Sequence, residues 1–439
     1  MNSKIWAKNS GSETYEKLIE KFTVGKDRDF DLLLAKYDVL GNKAHASMLF
    51  EIGILTQKEN EEIQKELDKM LCLAEKNNLS IDEGVEDIHS QIEFNLTRKL
   101  GKAGKKIHTG RSRNDQVLLD IKLFFRYEIP RIAERIKELF EELISLAEKY
   151  QEVLMPGYTH YQIAMPSSFG LWLSAYAESL SEDMELLLVA YSSASKNPLG
   201  SGAGYGSSFP LDREYTTKEL GFKALNVNSI YAQMTRGKTE KFLSFALSSI
   251  ASSIGKLSND ICLYSNQNFG FLSFPIHLTT GSSIMPHKRN PDVFELIRGK
   301  SSRIQAVPNE LTLLINNLST GYNRDYQLTK EIIFPALEDM KDSLQILCFM
   351  LPHMEVNLHI LEDPKYDYLF SVEKINDLVR QGKGFRDAYL EVGNSIEDGT
   401  YSYERRNLKH THVGSIGNLS LQQIKDRFTQ LYTRFYEAT

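Results

Sequence analysis

TEKFLSFALSSIASSIGKLSNDICLY, residues 239–264, decides the fold. Phe242, Leu243, Ala246, Leu247, Ile250, Ile254, Leu257, Ile261 and Tyr264 recur three and four apart. That spacing gathers one apolar stripe along a helix, where a strand would alternate. At about 1.5 Å per residue, such a helix crosses a whole domain. The same period runs through 116–150, where Pro130 predicts a kink or a break, and through 167–195, 292–316 and 327–350. Strand signals are sparse. Several very long amphipathic helices with short connectors predict an all-α chain with a long central helical bundle. Helices this long also bury one another across subunits, which predicts a homo-oligomer. The apolar stripes are core, and none reads as a cofactor box.

The chain has 439 residues, too many for one ordinary core. The Gly/Lys-rich stretch GKAGKKIHTG (101–110) and the stretch LPHMEV (351–356), after which the periods shorten, divide it into 1–106, 107–352 and 353–439. A hydrophobic share of 41% with 25% charged residues is that of a soluble globular protein. The net charge of −6 argues against nucleic acid as a partner. Cys72, Cys262 and Cys348 are scattered, without zinc or disulfide spacing, which fits a reducing cytoplasm. No signal-like apolar run opens the sequence, and no run of about eighteen apolar residues suggests a membrane span.

Four polar segments stand apart from the core pattern: DIHSQIE (87–93), HTGRSRNDQ (108–116), MPGYTHYQ (155–162) and GSSIMPHKRNPD (281–292). In the last, Asn290 reads as a helix cap with Pro291 at the first helical position. A loop feeding a helix N-terminus favours anions, and Lys288 adds a full charge. Such a field stabilises negative charge as it develops and eases ionisation of Ser282 or Ser283, either of which could then act as a base. Arg111 and Arg113 offer guanidinium forks suited to carboxylates. Thr109, Ser112 and Asn114 supply short donors, and Asn114 or Asp115 can cap the next helix. His160 beside Thr159 could move protons near neutral pH. His160 and His89 taken alone read more simply as structural histidines, and isolated GSS as a flexible turn. HExxH, CxxC, EF-hand and phosphate-loop patterns are absent, and the glycine-rich NPLGSGAGYGSSFP (197–210) lacks a phosphate-loop lysine. What remains is acid/base and electrostatic chemistry on a carboxylate substrate.

GSSIMPHKRNPD resembles the signature loop of the fumarase/aspartase superfamily, whose members release fumarate from succinyl compounds. EDIHSQIE, KKIHTGRSRNDQV, MPGYTHYQ, NPLGSGAG with FPLDRE, and LSTGYNRDYQLTKE follow in the order of the argininosuccinate lyase family, over about residues 28–393. The resemblance implies a three-domain, mostly helical fumarase/aspartase-like subunit. It also implies a cytoplasmic homotetramer with active sites shared between subunits, and neither cofactor nor metal. The implied reaction is reversible cleavage of L-argininosuccinate to L-arginine and fumarate, in arginine biosynthesis, through an aci-carboxylate dianion.

By motif position the resemblance makes Ser282 the base in preference to Ser283, Lys288 a stabiliser of the dianion and Asn290 a ligand of the succinyl part. His160 becomes the acid or the group orienting it, with Glu295 as charge partner. Arg111, Ser112, Asn114, Thr159, Tyr322, Gln327 and Lys330 match substrate-contacting positions, and His89 a nearby one. The chain departs from the family at Ile5-Trp6-Ala7-Lys8, at Asp27 where serine is common, at Gly237 where an acidic residue usually follows Arg236, at His287 where glutamine is common, and past residue 394. Those departures bear on the arginine-side contacts. Another fumarate-releasing lyase, such as adenylosuccinate lyase, and a crystallin-like structural role are the rival readings.

Overall fold

The computed structural model describes residues 13–404, 408 and 410–438. The departure at residues 5–8 lies outside the described residues.

Helices α1 (Glu13–Val24), α2 (Asp27–Glu51), α3 (Gln57–Glu75), α4 (Ile88–Leu100) and the short α5 (Lys102–Lys105) open the chain. The long helices follow: α6 (Arg113–Lys149), α7 (Phe169–Ala194), α10 (Lys238–Tyr264), α11 (Asp292–Ile315) and α12 (Thr329–Met350), with α8 (Arg213–Glu219) and α9 (Ser229–Met234) between α7 and α10. Helices α13 (Ser371–Arg380), α14 (Phe385–Glu397) and α15 (Leu421–Ala438) close it. The sequence pattern places the five long helices to within a few residues.

Those five helices form the bundle. α6 packs on α7, α7 on α10, α10 on α11, α11 on α12, and α12 returns to α6, so the ring of contacts closes. Its centre is the stripe that opened the reading: Leu243, Ala246, Leu247, Ile250, Ile254, Leu257 and Ile261 are all buried. Each large aliphatic side chain there contributes roughly 1.5–3 kcal/mol by leaving water. A second cluster, with Val39, Leu49, Ile63, Leu67, Ile92 and Ile107, ties α2, α3 and α4 together, and a small one joins Ile375, Ala388 and Val392. The last helix belongs to the bundle's core, with Phe428 stacked on Phe140 of α6 at 3.9 Å.

Pro130 does not break α6, which runs for 37 residues. The missing N–H is outweighed because Phe125, Ile129, Ile132, Ala133 and Ile136 are buried on both sides of the proline, and helix stability in a bundle comes mostly from such packing.

The described strands are short. β1 (Leu154–Thr159) and β2 (Gln162–Ser168) form an antiparallel hairpin between α6 and α7. The pairs β3 (Lys196–Asn197) with β4 (Ala224–Leu225), β5 (Leu272–Ser273) with β8 (Glu355–Val356), and β6 (Thr280–Gly281) with β7 (Arg289–Asn290) are each two residues per strand.

Candidate active site

Five helices bring their N-termini to one cleft of about 170 Å³. Asp27 and Asp31 come from the first turns of α2, and His89 is the second residue of α4. Arg113, Asn114 and Val117 open α6, Arg236 stands just ahead of α10, and Lys330 is second in α12. Tyr322, Arg324 and Gln327 enter from the segment before α12, and Glu86 and Asp87 from the segment before α4. A helix start presents unpaired N–H groups and the positive end of its dipole. Several starts meeting at one place make an anion site before any side chain is counted.

The cations of this cleft are held by the chain's own carboxylates. Lys330 Nζ lies 2.5 Å from Asp31 Oδ1 and 2.6 Å from Asp27 Oδ1. Burial would strip the ammonium of its proton, but Asp31 and Asp27 outweigh it and hold the group above its ordinary value. Arg236 Nε is 3.1 Å from Glu240 Oε1, while its Nη2 donates to the Tyr326 carbonyl at 2.8 Å. Arg324 acts as a strap: Nη2 donates to Glu86 at 2.8 Å and to the Thr23 carbonyl at 3.1 Å, and Nε to Gln327 Oε1 at 3.2 Å. Gln327 Nε2 then donates to the same Thr23 carbonyl at 2.9 Å, fixing the α1–α2 corner against the segment that carries Tyr322.

Two departures from the family pattern find their place here. Asp27 supplies the second carboxylate on Lys330. Gly237 sits at φ +77°, where a Cβ would stand 2.8 Å from Ile315 Cγ2, and its N–H donates to Glu240 Oε2 at 2.8 Å. The acid that neutralises Arg236 therefore comes one turn later, from Glu240.

Of the sequence-derived candidates, His89, Asn114, Tyr322, Gln327 and Lys330 share the cleft wall. Arg111 does not reach it: the side chain is buried behind, donating to Asn42 Oδ1 at 2.8 Å. Ser112 is the cap of α6, accepting from the Asn114 N–H at 3.2 Å while Asp115 accepts from the Ser112 N–H at 2.9 Å. The cap thus falls two residues before Asn114, and Asp115 completes a capping box. Asp115 also accepts from the Gly200 and Gly202 N–H groups at 3.0 and 2.9 Å, which gives the glycine-rich stretch a structural purpose. Burial pushes this carboxyl up to about 6 against those bonds.

The remaining candidates lie at the other end of the bundle. α11 runs antiparallel to α10, with Ile315 beside Gly237, Ser301 beside Gly255 and Arg298 donating to Asn259 at 3.1 Å. Its 24 residues carry the 281–290 loop roughly 36 Å from the cleft. Ser282 Oγ accepts from the Ile284 and Met285 N–H groups at 3.3 and 3.0 Å. Lys288 and Glu295 are exposed. Asn290 lies in β7 and donates to Thr280 Oγ1 at 3.4 Å, so Pro291 takes the cap position and α11 starts at Asp292, one residue later than the sequence suggests. Thr159 and His160 sit exposed at the tip of the β1–β2 hairpin, which is anchored at the same end by Tyr158 against Phe269, ring centroids 5.3 Å apart. His160 and Tyr161 both have positive φ, 53° and 59°, the backbone of a two-residue hairpin turn that normally takes Asn and Gly. Among the described residues no hydrogen bond or ion pair joins His160 to Glu295.

Comparison with known proteins matches residues 10–306 to a family model described as "Lyase". An argininosuccinate lyase of Bacteroides thetaiotaomicron is 53% identical over 99% of this chain and 97% of its own length. One from Thermotoga neapolitana is 39% identical over 89% of this chain and 98% of its own. The chain belongs to the argininosuccinate lyase family. Among solved structures, EDDS lyase in complex with formate superposes with a TM-score of 0.79 at 21% identity, covering 98% of this chain and 92% of that one. Class II fumarase from Schistosoma mansoni gives 0.70 at 18%, covering 84% and 88%. These two likenesses establish the helical fumarase/aspartase fold.

Sequence reading of this lyase missed Asp31, Asp38, Glu86, Asp87, Asp120, Glu240 and Arg324. A signal existed for some of them. Asp38 beside Val39, and Asp120 between Leu119 and Ile121, stand in apolar helical stretches where a charge has no solvent to face. Among the described residues no helix is long and apolar enough to cross a membrane.

Proposed function

We propose that this chain catalyses the reversible elimination of fumarate from L-argininosuccinate, leaving L-arginine. The observation that carries the reading is identity above half over nearly the whole length to argininosuccinate lyases. The cleft built from five helix starts and buried cations supports it, since the substrate presents several carboxylates.

In this mechanism Ser282 removes the proton beside a carboxylate, and the electron pair moves into that carboxylate to form an aci-carboxylate dianion. Collapse of the dianion expels the guanidino nitrogen, which takes a proton from His160 or from a group His160 orients. Two backbone N–H groups already point at Ser282 Oγ, and they favour its ionised form, which supports Ser282 over Ser283. Lys288 supplies positive charge to the dianion and Asn290 binds the succinyl part. Glu295 is the charge partner of His160. Asn114, Thr159, Tyr322, Gln327, Lys330 and His89 bind substrate, and Arg111 and Ser112 act from behind, by holding Asn42 and capping α6.

One chain cannot bring these groups together across roughly 36 Å, so the working site takes its cleft from one subunit and its loop and hairpin from others. Leu186, Val189, Phe242, Phe245, Leu296 and Leu313 lie exposed along α7, α10 and α11, as a bundle that docks on copies of itself requires. We read the assembly as a cytoplasmic homotetramer, with the chain divided at about residues 106 and 352.

The test is to supply L-argininosuccinate, follow fumarate by ultraviolet absorbance and identify arginine by mass. Release of both is expected, and cleavage of adenylosuccinate in preference would overturn the reading. Mixing Ser282→Ala with Lys330→Met protein, after dissociation and reassembly, should restore turnover well above either parent. No restoration would sink the shared site.

A further inference from the structure

Behind the cleft wall, α2, α4 and α6 each turn one ionisable side chain into the same buried space. His89 Nδ1 lies 3.1 Å from Asp38 Oδ1 and 3.4 Å from Asp120 Oδ2, and both carboxylates are fully buried. Gln116 Nε2 donates to the same Asp38 oxygen at 2.5 Å. Asp38 Oδ2 and both oxygens of Asp120 have no hydrogen-bond donor among the described residues. Two carboxylates therefore face one imidazole in a space with too few donors for them. Buried charge of one sign is tolerated only where opposite charge stands beside it. The ring itself lines the cleft.

We infer that Asp38 and Asp120 are positioning residues that keep His89 an imidazolium, so that the cleft wall presents a fixed cation to a substrate carboxylate and this histidine takes no part in proton transfer. The substrate clause rests on the lyase reading given above; the charge state does not.

Asp38 of α2, Asp87 of the α4 cap and Asp120 of α6 act on the ring, with His108 from the segment before α6 opposing them. Around these stand Asp31 and Arg111 beside Asp120, and Asp115 and Glu93 beside Arg111. Burial alone would empty the imidazole of its proton, but Asp38, Asp120 and Asp87 outweigh burial and raise it to about 10. His45 is the internal control. It is equally buried, its Nε2 lies 3.0 Å from the Thr109 carbonyl and Arg111 stands near, and with no carboxylate beside it the group is pushed well down. Burial and Asp38 push Asp120 well up, which makes Asp38 the principal counter-ion of the ring.

The experiment uses full-length protein labelled with ¹⁵N-histidine, with His89→Gln to assign the resonance. His89 should keep both nitrogens protonated from pH 6 to pH 9. In Asp38→Asn, whose shape is nearly unchanged and which removes the nearer carboxylate, it should turn neutral inside that range, and kcat/KM should fall by about tenfold per pH unit above the new midpoint, mainly through KM. If Asp38→Asn does not fold, the charge state of His89 in the unmodified protein at pH 7.5 decides the inference. A neutral His89 in the unmodified protein at pH 7.5 would overturn the inference. So would a pH profile in Asp38→Asn that matches the parent, or one equivalent of divalent metal that co-purifies and is lost in that variant. Absence of argininosuccinate turnover would sink the lyase reading and leave the nitrogen shifts to decide the charge state.

Discussion

At the N-terminal end of α10, Arg236, Lys330 and His89 are 4%, 2% and 6% exposed, and each lies against a carboxylate of the same chain. Some 40 Å away at its C-terminal end, Lys288 and His160 face solvent, and no ion pair holds either among the described residues. The first end is finished within one chain: charges that would be prohibitive when buried are matched by carboxylates of the same chain. The second end carries the groups proposed for the chemistry and leaves them unmatched. The contrast is what the proposed shared site demands, because a loop that another subunit completes would not be neutralised by its own.

The strongest way to break the contrast is at the exposed end. Ser282→Ala should lower kcat by about 10²–10⁴-fold or more, the range for losing a positioned base, with little change in melting temperature because the loop is solvated. Calorimetry with arginine and fumarate should still detect binding. Near-normal turnover would remove Ser282 from the mechanism.

At the buried end the same kind of substitution should register as lost stability. Lys330→Met leaves Asp27 and Asp31 buried without their cation, a loss of about 3–5 kcal/mol by analogy with broken buried pairs. Denaturant unfolding of the assembled protein measures it. A change below about 1 kcal/mol would mean that Asp27 takes up a proton in compensation, a route open to it because burial raises its carboxyl. Gly237→Ala should cost less, about 1–3 kcal/mol, since it places a methyl group against Ile315 at a backbone angle that favours glycine. Loss of Arg236 placement should accompany it as a raised KM.

The sequence made one half of this contrast far more legible than the other. Helical periodicity located α6, α7, α10, α11 and α12 because a buried stripe repeats over many turns, and local errors average out. Single-residue features did not average. Pro130 lost to the packing around it, and two caps moved: that of α6 back by two residues, from Asn114 to Ser112, and that of α11 on by one, from Asn290 to Pro291. Motifs singled out Ser282, His160 and Lys330 as candidates by their neighbours in the chain. They could not show that Arg111 points away from the cleft, nor that Asp38 and Asp120 meet His89, because those arrangements depend on three helices packing together. Asp27 and Gly237 read as departures from a family pattern, and only their partners Lys330 and Glu240 reveal them as substitutions with local compensation.

The smallest expected effect returns to the exposed end and has the opposite sign. His160 and Tyr161 occupy left-handed backbone at the hairpin tip, which costs a non-glycine residue about 1 kcal/mol or somewhat more. Tyr161 is 81% exposed, so little packing is lost with its ring. Tyr161→Gly should therefore raise stability by up to about 1 kcal/mol, offset in part by the greater freedom of glycine in the unfolded chain. Turnover decides what the strain is for. If kcat is unchanged while the melting temperature rises, the turn is merely tolerated. If kcat falls as stability rises, the strained backbone is what holds His160 in the pose the proposed shared site needs, and a local cost is being kept for the sake of geometry.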